Sequence, residues 1–381
     1  MEYRLIATTV FGMEAITAYE IKALGYQNVV VENGRVMFDA DERGLVRANL
    51  WLRTAERVFV MIREFKATTF ESLFDHIVEY RWEKWLPEDA TFPVNAKSIN
   101  SKLFSLSDIQ RIGKKAISKR MTRVYENEWH DETGPTFDIH INILKDVVTV
   151  AIDTSGTGLH KRGYRERANQ APMKETLAAG LVSIARWQPK IPFIDPMCGS
   201  GTLAIEAAML ARNIAPGLKR KFSSELWPNI DNALWQEERE KAYAQVNPDI
   251  DVSICGYDID PRTIEIAKLN AKLAGVDDII HFEVRPVQKF LTKENYGYII
   301  CNPPYGDRLE DKVTIDKLYR EMGEVFSDYP TWSKYIITSY ESFESAYGSK
   351  STKNRKLYNG RIKTYFYQYF GEKPPRRGTI S

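Results

Sequence analysis

Apolar and polar positions change their spacing several times along the chain, and each change predicts an element. Residues 3–10 (YRLIATTV) read as a strand, whereas 12–25 (GMEAITAYEIKALG) repeats apolar positions every three to four residues and stops at Gly25, the pattern of an amphipathic helix. VVVE, the pair Asn33-Gly34 and RVMFD follow, and Asn-Gly between strand-like runs predicts a hairpin. A helix over about 41–52 and a strand from Arg57 to Phe65 complete the order βαββαβ. A second α/β stretch holds a helix around TFESLFDHIVEY, a strand TFPVNAKSI and the helix SDIQRIGKKAISKRM. Paired strands on either side of Lys145-Asp146 carry it to about residue 153.

From about residue 170, strand-like and helix-like runs alternate, which predicts a parallel sheet covered on both faces. IPFID (191–195), VSICGYD, IIHFEV, YGYIICN and SKYIITS are its strands, with TLAIEAAMLA and PRTIEIAKLNAKLAG as helices. KLYNGRIKTYFYQYF contains Asn359-Gly360 and predicts an antiparallel hairpin at the sheet edge. The stretch from Arg212 to Ile250 is about twice what a strand-helix-strand crossover needs, so it should add a helix around DNALWQEEREKAYAQV and a loop near the ligand site. The fold class is therefore α/β throughout, and the opening βαββαβ is the ferredoxin-like arrangement.

Composition narrows the picture. A chain of 381 residues divides into two or three domains, and 43% apolar with 27% charged residues excludes a disordered, collagen-like or transmembrane chain. No apolar run reaches 18 residues and no secretory leader is evident, so a cytoplasmic protein without a membrane partner is expected. Cys198, Cys255 and Cys301 form no CxxC pair, the five histidines have no metal-ligand spacing, and no metal site is expected. Cys255 and Cys301 read as core residues, and Trp51, Trp82 and Trp85 as packing anchors.

The net charge of +2 hides segregation. Residues 1–95 are mildly acidic, Lys97 to Arg123 holds eight Lys/Arg and one Asp, and Lys350 to Arg377 holds nine Lys/Arg and one Glu. A third basic run, HKRGYRER from His160 to Arg167, contains a tyrosine. Lysine and arginine bind phosphates by displacing counterions and aromatic rings stack on unpaired bases, so RNA or another single-stranded nucleic acid is the expected partner. The candidate contacts are Lys97, Lys102, Arg111, Lys114, Lys115, Lys119, Lys161, Arg162 and Arg165. Arg111, Lys114, Lys115 and Lys119 share one helix face.

Three segments carry candidate chemistry. Asp195-Pro196-Met197-Cys198-Gly199-Ser200-Gly201 follows a strand and opens a helix, where glycines let a ligand approach the backbone. The next strand ends in Gly256-Tyr257-Asp258-Ile259-Asp260, whose carboxylate can accept both hydroxyls of a ribose. Together they suit a nucleoside cofactor, and Asp195 beside the glycines suits an amino group better than a phosphate. The third segment, Asn302-Pro303-Pro304-Tyr305, ends a later strand. Its prolines fix φ, so the Asn302 amide oxygen and the Pro303 carbonyl can accept from one exocyclic NH2 group while Tyr305 offers a ring to the base. The nitrogen lone pair is then free for an electrophile. A sulfonium methyl group needs no metal and no strong base, only in-line positioning, with Asp307 available to take the proton afterwards.

DPMCGSGTLAIE, GYDIDP and NPPYGDR resemble the class I S-adenosylmethionine-dependent RNA methyltransferases that carry an N-terminal THUMP domain. NAKSINSKLFSLSDIQRIGKKA is similar to the THUMP core, and DTSGTGLHKRGYR with APMKETLAA to the junction into the catalytic domain. The resemblance spans essentially the whole chain. It implies a ferredoxin-like unit over 1–65, a THUMP RNA-binding domain over 66–155, a junction over 156–171 and a Rossmann-like catalytic domain over 172–381. That domain would have a mostly parallel seven-stranded sheet with an antiparallel edge strand. The bacterial 23S rRNA guanine-N2 methyltransferases are the implied subgroup, with S-adenosyl-L-methionine as cofactor and 23S rRNA or a ribosome-assembly intermediate as partner, in a monomer or weak dimer. Asp195, Pro196, Cys198, Gly199, Ser200 and Gly201 become the methionine-end pocket, Asp258 the ribose acceptor and Ile259 a flank of the adenine. Pro172 to Thr176, including Lys174 and Glu175, close over the cofactor, and Asn302 to Tyr305 clamp the target base. Many class I enzymes place an acid after the third strand for the adenine amine; here Val284-Arg285-Pro286-Val287-Gln288 stands there, and Gln288 can substitute. On residues alone the alternatives are a tRNA guanine-N2 enzyme, an adenine-N6 or cytosine-N4 methyltransferase, an RNA-binding assembly factor, and a nicotinamide oxidoreductase, which lacks its full glycine fingerprint.

Overall fold

A computed structural model of the chain describes residues 2–127, 131–165, 173–305 and 312–372. In chain order the elements are β1 (Tyr3–Thr9), α1 (Glu14–Ala23), β2 (Val30–Glu32), β3 (Arg35–Ala40), α2 (Glu42–Trp51), β4 (Ala55–Lys66), α3 (Phe70–Val78), β5 (Val94–Ile99), α4 (Leu106–Tyr125), β6 (Asp138–Leu144) and β7 (Val147–Asp153). Then come α5 (Glu175–Ala185), β8 (Phe193–Asp195), α6 (Thr202–Ala211), α7 (Asn232–Ala244), β9 (Ile254–Asp258), α8 (Pro261–Ala274), β10 (Ile280–Val284), β11 (Tyr298–Cys301), α9 (Lys312–Ser327), β12 (Ser333–Thr338), α10 (Phe343–Tyr347), β13 (Lys353–Asn359) and β14 (Ile362–Tyr369). Two compact units result. One comprises Met1–Thr9, Thr17–Leu159 and Arg220–Lys241; the other comprises Val10–Ile16, His160–Lys219 and Ala242–Ser381.

In the first unit a single sheet runs in the order β2-β3-β1-β4-β7-β6-β5, so the strands of the ferredoxin-like stretch continue into those of the second α/β stretch through β4 and β7. Local chemistry sets the elements. The Asp41 carboxylate accepts the Gly44 N–H and caps α2, and the Thr69 hydroxyl accepts that of Ser72 and caps α3. Lys145 and Asp146 both hold positive φ, 51° and 64°, as a two-residue primed turn between β6 and β7 requires. Alternate strand positions such as Leu5, Phe38, Val58, Ile139 and Ile152 are fully buried under the helices.

The long stretch after α6 departs from expectation. It contains the expected helix α7, but Arg220–Lys241 folds into the first unit instead of looping at the ligand site. The cause is its apolar content: Phe222, Trp227, Ile230 and Trp235 join the first unit's apolar core. Trp227 stacks on Phe137 at 4.6 Å and donates its indole N–H to the Thr136 carbonyl at 3.0 Å. Trp82 and Trp85 are buried in the same core.

The second unit's sheet runs β10-β9-β8-β11-β12-β14-β13. Strands β10, β9, β8, β11 and β12 are parallel, and β14 is antiparallel to both its neighbours. The antiparallel strand is thus second from the edge, with β13 outermost, because the hairpin folds back outside it. Strand order reverses at β8, which lies between β9 and β11, and in open α/β sheets the crevice at such a point beyond the carboxyl ends receives the ligand. No helix among the described residues is long and apolar enough to cross a membrane.

Candidate active site

The turn from β8 into α6 and the end of β9 are tied together by hydrogen bonds. Gly199 donates its N–H to the Asp258 carboxylate at 3.0 Å, the other Asp258 oxygen accepts from the Asp260 N–H at 3.0 Å, and Cys198 N–H donates to the Tyr257 carbonyl at 2.7 Å. The two glycines have different reasons. Gly201 (φ 84°) would bring a Cβ within 3.0 Å of Phe282 and 3.1 Å of Ala267, so it permits close packing. Gly199 (φ 54°) has nothing within 4 Å of a Cβ position, so its backbone faces open space. The N–H groups of Gly199 and Gly201 are already used, by Asp258 and by the Cys198 carbonyl at 2.8 Å. Beside these committed donors the loop places the Asp195 and Asp258 carboxylates, whose negative charge disfavours a phosphate.

Asp195 is 1% exposed and accepts one N–H, from Met197 at 3.2 Å. Burial pushes its carboxyl well above the usual range, and the neighbouring Asp258 charge adds to this. The Cys198 thiol is also pushed up by burial, so it lines the loop without being a thiolate. Ser200 accepts from the Asn270 amide through its carbonyl at 3.1 Å, which anchors the loop on α8. Ile259, just past β9, is 71% exposed. Gln288 is exposed after β10 and donates its amide N–H to Glu321, leaving its amide oxygen as the acceptor.

Asn302 to Tyr305 follow β11, whose neighbours are β8 and β12. Within the turn the Tyr305 hydroxyl donates to the Asn302 amide oxygen at 2.6 Å, an internal bond that spacing did not foreshadow. The Pro304 carbonyl accepts from the Tyr319 hydroxyl on α9 at 2.9 Å. Tyr319 and Thr338, which touches it, are fully buried; nothing in their local sequence marks them, since Tyr319 lies within an ordinary amphipathic helix and Thr338 ends an ordinary buried strand. Asp307 and Pro172 lie outside the described residues.

The junction and α5 meet α6 through buried charges. Arg165 donates to the Met173 carbonyl at 3.2 Å, pairs with Glu175 at 3.2 Å and reaches the Thr202 hydroxyl at the start of α6. Glu175 and Thr176 are buried in the first turn of α5, and Lys174 occupies its N-cap position. Burial raises the Glu175 carboxyl while Arg165 opposes the shift. Arg162 lies 3.5 Å from Glu206 with both side chains essentially buried, and Tyr164 donates to the same Glu206 at 3.1 Å. Arg162 and Arg165 are accordingly not phosphate contacts: their guanidinium groups neutralise internal carboxylates. Lys161 of the same run is exposed.

On α4, Arg111, Lys115 and Lys119 are exposed as expected. Lys114 lies along the surface, with its ammonium 3.8 Å over the Phe92 ring and bonded to Glu132. Lys97 and Lys102 are exposed, on β5 and on the loop after it. Asp138, His140 and Asp153 bring ligand atoms within 4.8 Å of one another, but the Arg57 guanidinium already sits on Asp153.

Comparison with known proteins agrees with the fold and its three domains. Residues 162–368 match the RMKL-like methyltransferase domain, 4–59 the RlmL ferredoxin-like domain and 67–153 the THUMP domain. YpsC of Bacillus subtilis (strain 168), named as a candidate RNA methyltransferase, is 48% identical over 99% of this chain and 98% of its own length. A crystal structure from Listeria monocytogenes str. 4b F2365, named by prediction as an N6-adenine-specific DNA methylase, is 49% identical with a TM-score of 0.93, covering 98% of this chain and 97% of that one. SMU.472, a candidate methyltransferase crystallised with SAH, is 44% identical with a TM-score of 0.92, covering 98% and 99%. With its sheet order, its glycine turn and its asparagine-proline corner, the chain belongs to the RMKL-like methyltransferase family, with that domain preceded by an RlmL-type ferredoxin-like domain and a THUMP domain.

Proposed function

We propose that the protein is an S-adenosylmethionine-dependent RNA methyltransferase that methylates the exocyclic N2 of a guanine in 23S rRNA. The observation that carries the reading is the adjacency of β8 and β11, which places the Asp195–Gly201 turn and the Asn302–Tyr305 corner at the ends of neighbouring parallel strands. Two features of the turn fit the cofactor. Gly199 presents bare backbone to open space that a Cβ would enter, and the buried Asp195 carboxyl suits an ammonium group. A relative crystallised with SAH and another named as an RNA methyltransferase support the same assignment.

When bound, the cofactor supplies a methyl group on a sulfonium whose departure leaves a neutral thioether. The chain's residues then have separate tasks. Asp195 receives the amino group, Asp258 the ribose hydroxyls with the lone pairs its two backbone bonds leave, and Ile259 a face of the adenine. Gln288 offers its amide oxygen to the adenine amine. Asn302 and the Pro303 carbonyl would accept hydrogen bonds from the two N–H groups of the target amine, leaving its lone pair free for the methyl group, and the Tyr305 ring would carry the base. The proton lost from nitrogen passes to solvent or to Asp307. Lys97, Lys102, Arg111, Lys115, Lys119 and Lys161 hold RNA phosphates.

Purified protein incubated with labelled S-adenosylmethionine and unmodified 23S rRNA should yield N2-methylguanine at one mapped position, and Asn302→Ala should lower transfer by about three orders of magnitude. The acceptor pair itself fits any exocyclic amine. Appearance of N6-methyladenine or N4-methylcytosine would overturn the base assignment, methylation of tRNA alone the substrate assignment, and RNA binding without transfer the enzyme.

A further inference from the structure

The hydrogen bonds behind the proline pair form a chain whose direction is fixed by counting protons. Tyr319 has one hydroxyl proton and the Pro304 carbonyl has none, so that proton serves the 2.9 Å bond to Pro304. The Thr338 hydroxyl, 2.8 Å from the Tyr319 oxygen, must then donate to it. Thr338 in turn accepts the Tyr340 N–H at 3.0 Å. Every donor thus points toward the corner: Tyr340 N–H to Thr338, Thr338 to Tyr319, Tyr319 to Pro304. Tyr319 and Thr338 are both 0% exposed, so the bond between their hydroxyls is shielded from water, and it backs the link to Pro304, which is itself exposed. The Tyr319 ring is held edge-on by Phe343 at 5.0 Å and tilted against Tyr340 at 5.5 Å.

The position of the pinned carbonyl matters. Proline rings fix φ at 303 and 304, so the proline pair keeps two soft angles, ψ of Pro303 and ψ of Pro304. Holding the Pro304 oxygen removes the second and sets the peptide plane that leads into Tyr305. β12 ends at Thr338 and pairs in parallel with β11, Cys301 opposite Ile336, so the anchor is rigid strand on the strand next to the corner.

We propose that Tyr319 is a positioning residue for methyl transfer: its hydroxyl, oriented by Thr338, holds the Pro304 carbonyl and so keeps the Asn302–Tyr305 corner in register with the reacting nitrogen. This rests on the reading of that corner as the amine clamp. The test is a double-mutant cycle in the full-length protein, with Tyr319→Phe, Thr338→Val and both together. Single-turnover methyl transfer to RNA, KM for S-adenosylmethionine and melting temperature are measured for each. Tyr319→Phe should slow transfer about tenfold and Thr338→Val about threefold, with KM for the cofactor within about twofold. The double variant should be no slower than Tyr319→Phe, because Thr338 acts only through Tyr319. Thr338→Ser, which keeps the donor, should recover most of the loss in Thr338→Val. A lower melting temperature with unchanged transfer by the folded variants, or fully additive losses, would overturn the proposal. Asn302→Ala separates the two readings: if it transfers normally the clamp itself fails, whereas if it is inactive and Tyr319→Phe is not, only the relay fails. Should Tyr319→Phe not fold, Thr338→Val against Thr338→Ser decides alone.

Discussion

At the residue scale, Tyr305 has two separable attributes, a ring and a hydroxyl. The hydroxyl is committed to the Asn302 amide oxygen, which as an sp2 acceptor retains a second lone pair for an incoming amine. If the ring is what the base uses, Tyr305→Phe should change KM for RNA by less than about threefold, while Tyr305→Ala should raise it by about ten- to a hundredfold, the usual worth of one stacked base. Equal losses in the two variants would mean the hydroxyl is the functional part. The fixed φ of the corner was legible in the sequence because proline rings impose it locally. Tyr319 was not legible, since its meaning depends on a carbonyl 15 residues away. Arg162 and Arg165 misled for a related reason. A run of charges shows that cations are present, but the carboxylates that absorb them, Glu206 and Glu175, come from α6 and α5.

Among the elements, α4 best shows how a basic helix is oriented. Its Arg120 bonds the Glu83 carboxylate at 3.0 Å through Nε and again through a terminal nitrogen. That bond to Arg120 holds the Glu83 carboxyl down at about 2, with Arg81 adding a smaller contribution. A carboxyl depressed in the folded state contributes stability that is fully present above its ordinary value near 4.5 and is lost as pH falls through about 2. Glu83→Gln should therefore cost about 1–3 kcal/mol at pH 7, and the gap in chemical-denaturation stability from the parent should narrow between pH 4.5 and 2. A gap independent of pH across that window would mean the pair contributes packing alone. Because Glu83 and Glu132 already pair with Arg120 and Lys114, fewer cations of α4 are left to other anions than the helix spacing implies, with Arg111, Lys115 and Lys119 exposed on it. The helix and its period were legible, but the pairing of two of its cations depended on Glu83 and Glu132, which other segments supply.

On the scale of the whole molecule, sequence order and folding units disagree. The local patterns placed every strand of both sheets near its observed position, and from them a cut between about 155 and 172 looked like a domain boundary. Periodicity has no way to report that Arg220–Lys241, which follows that cut in the chain, completes the first unit. Phe222, Trp227 and Trp235 of that segment are all buried, and Arg239 and Glu225 form an ion pair within it. Arg220 donates to the carbonyls of Ser155, Thr157 and Gly158 at the end of the first unit's main run of chain. A fragment of residues 1–159 would expose the faces of Phe137 and Trp85 that Trp227 covers, and would leave those three carbonyls without their guanidinium. We expect that fragment to melt at a markedly lower temperature than one in which residues 220–241 are joined to it by a flexible linker. Trp227→Ala in the linked form should lose about 3–5 kcal/mol, as removal of a fully buried tryptophan does. Circular dichroism melts of the three proteins decide the matter: if residues 1–159 alone unfold as cooperatively and as late as the linked form, the later segment is an attachment to a finished unit and not a part of its core.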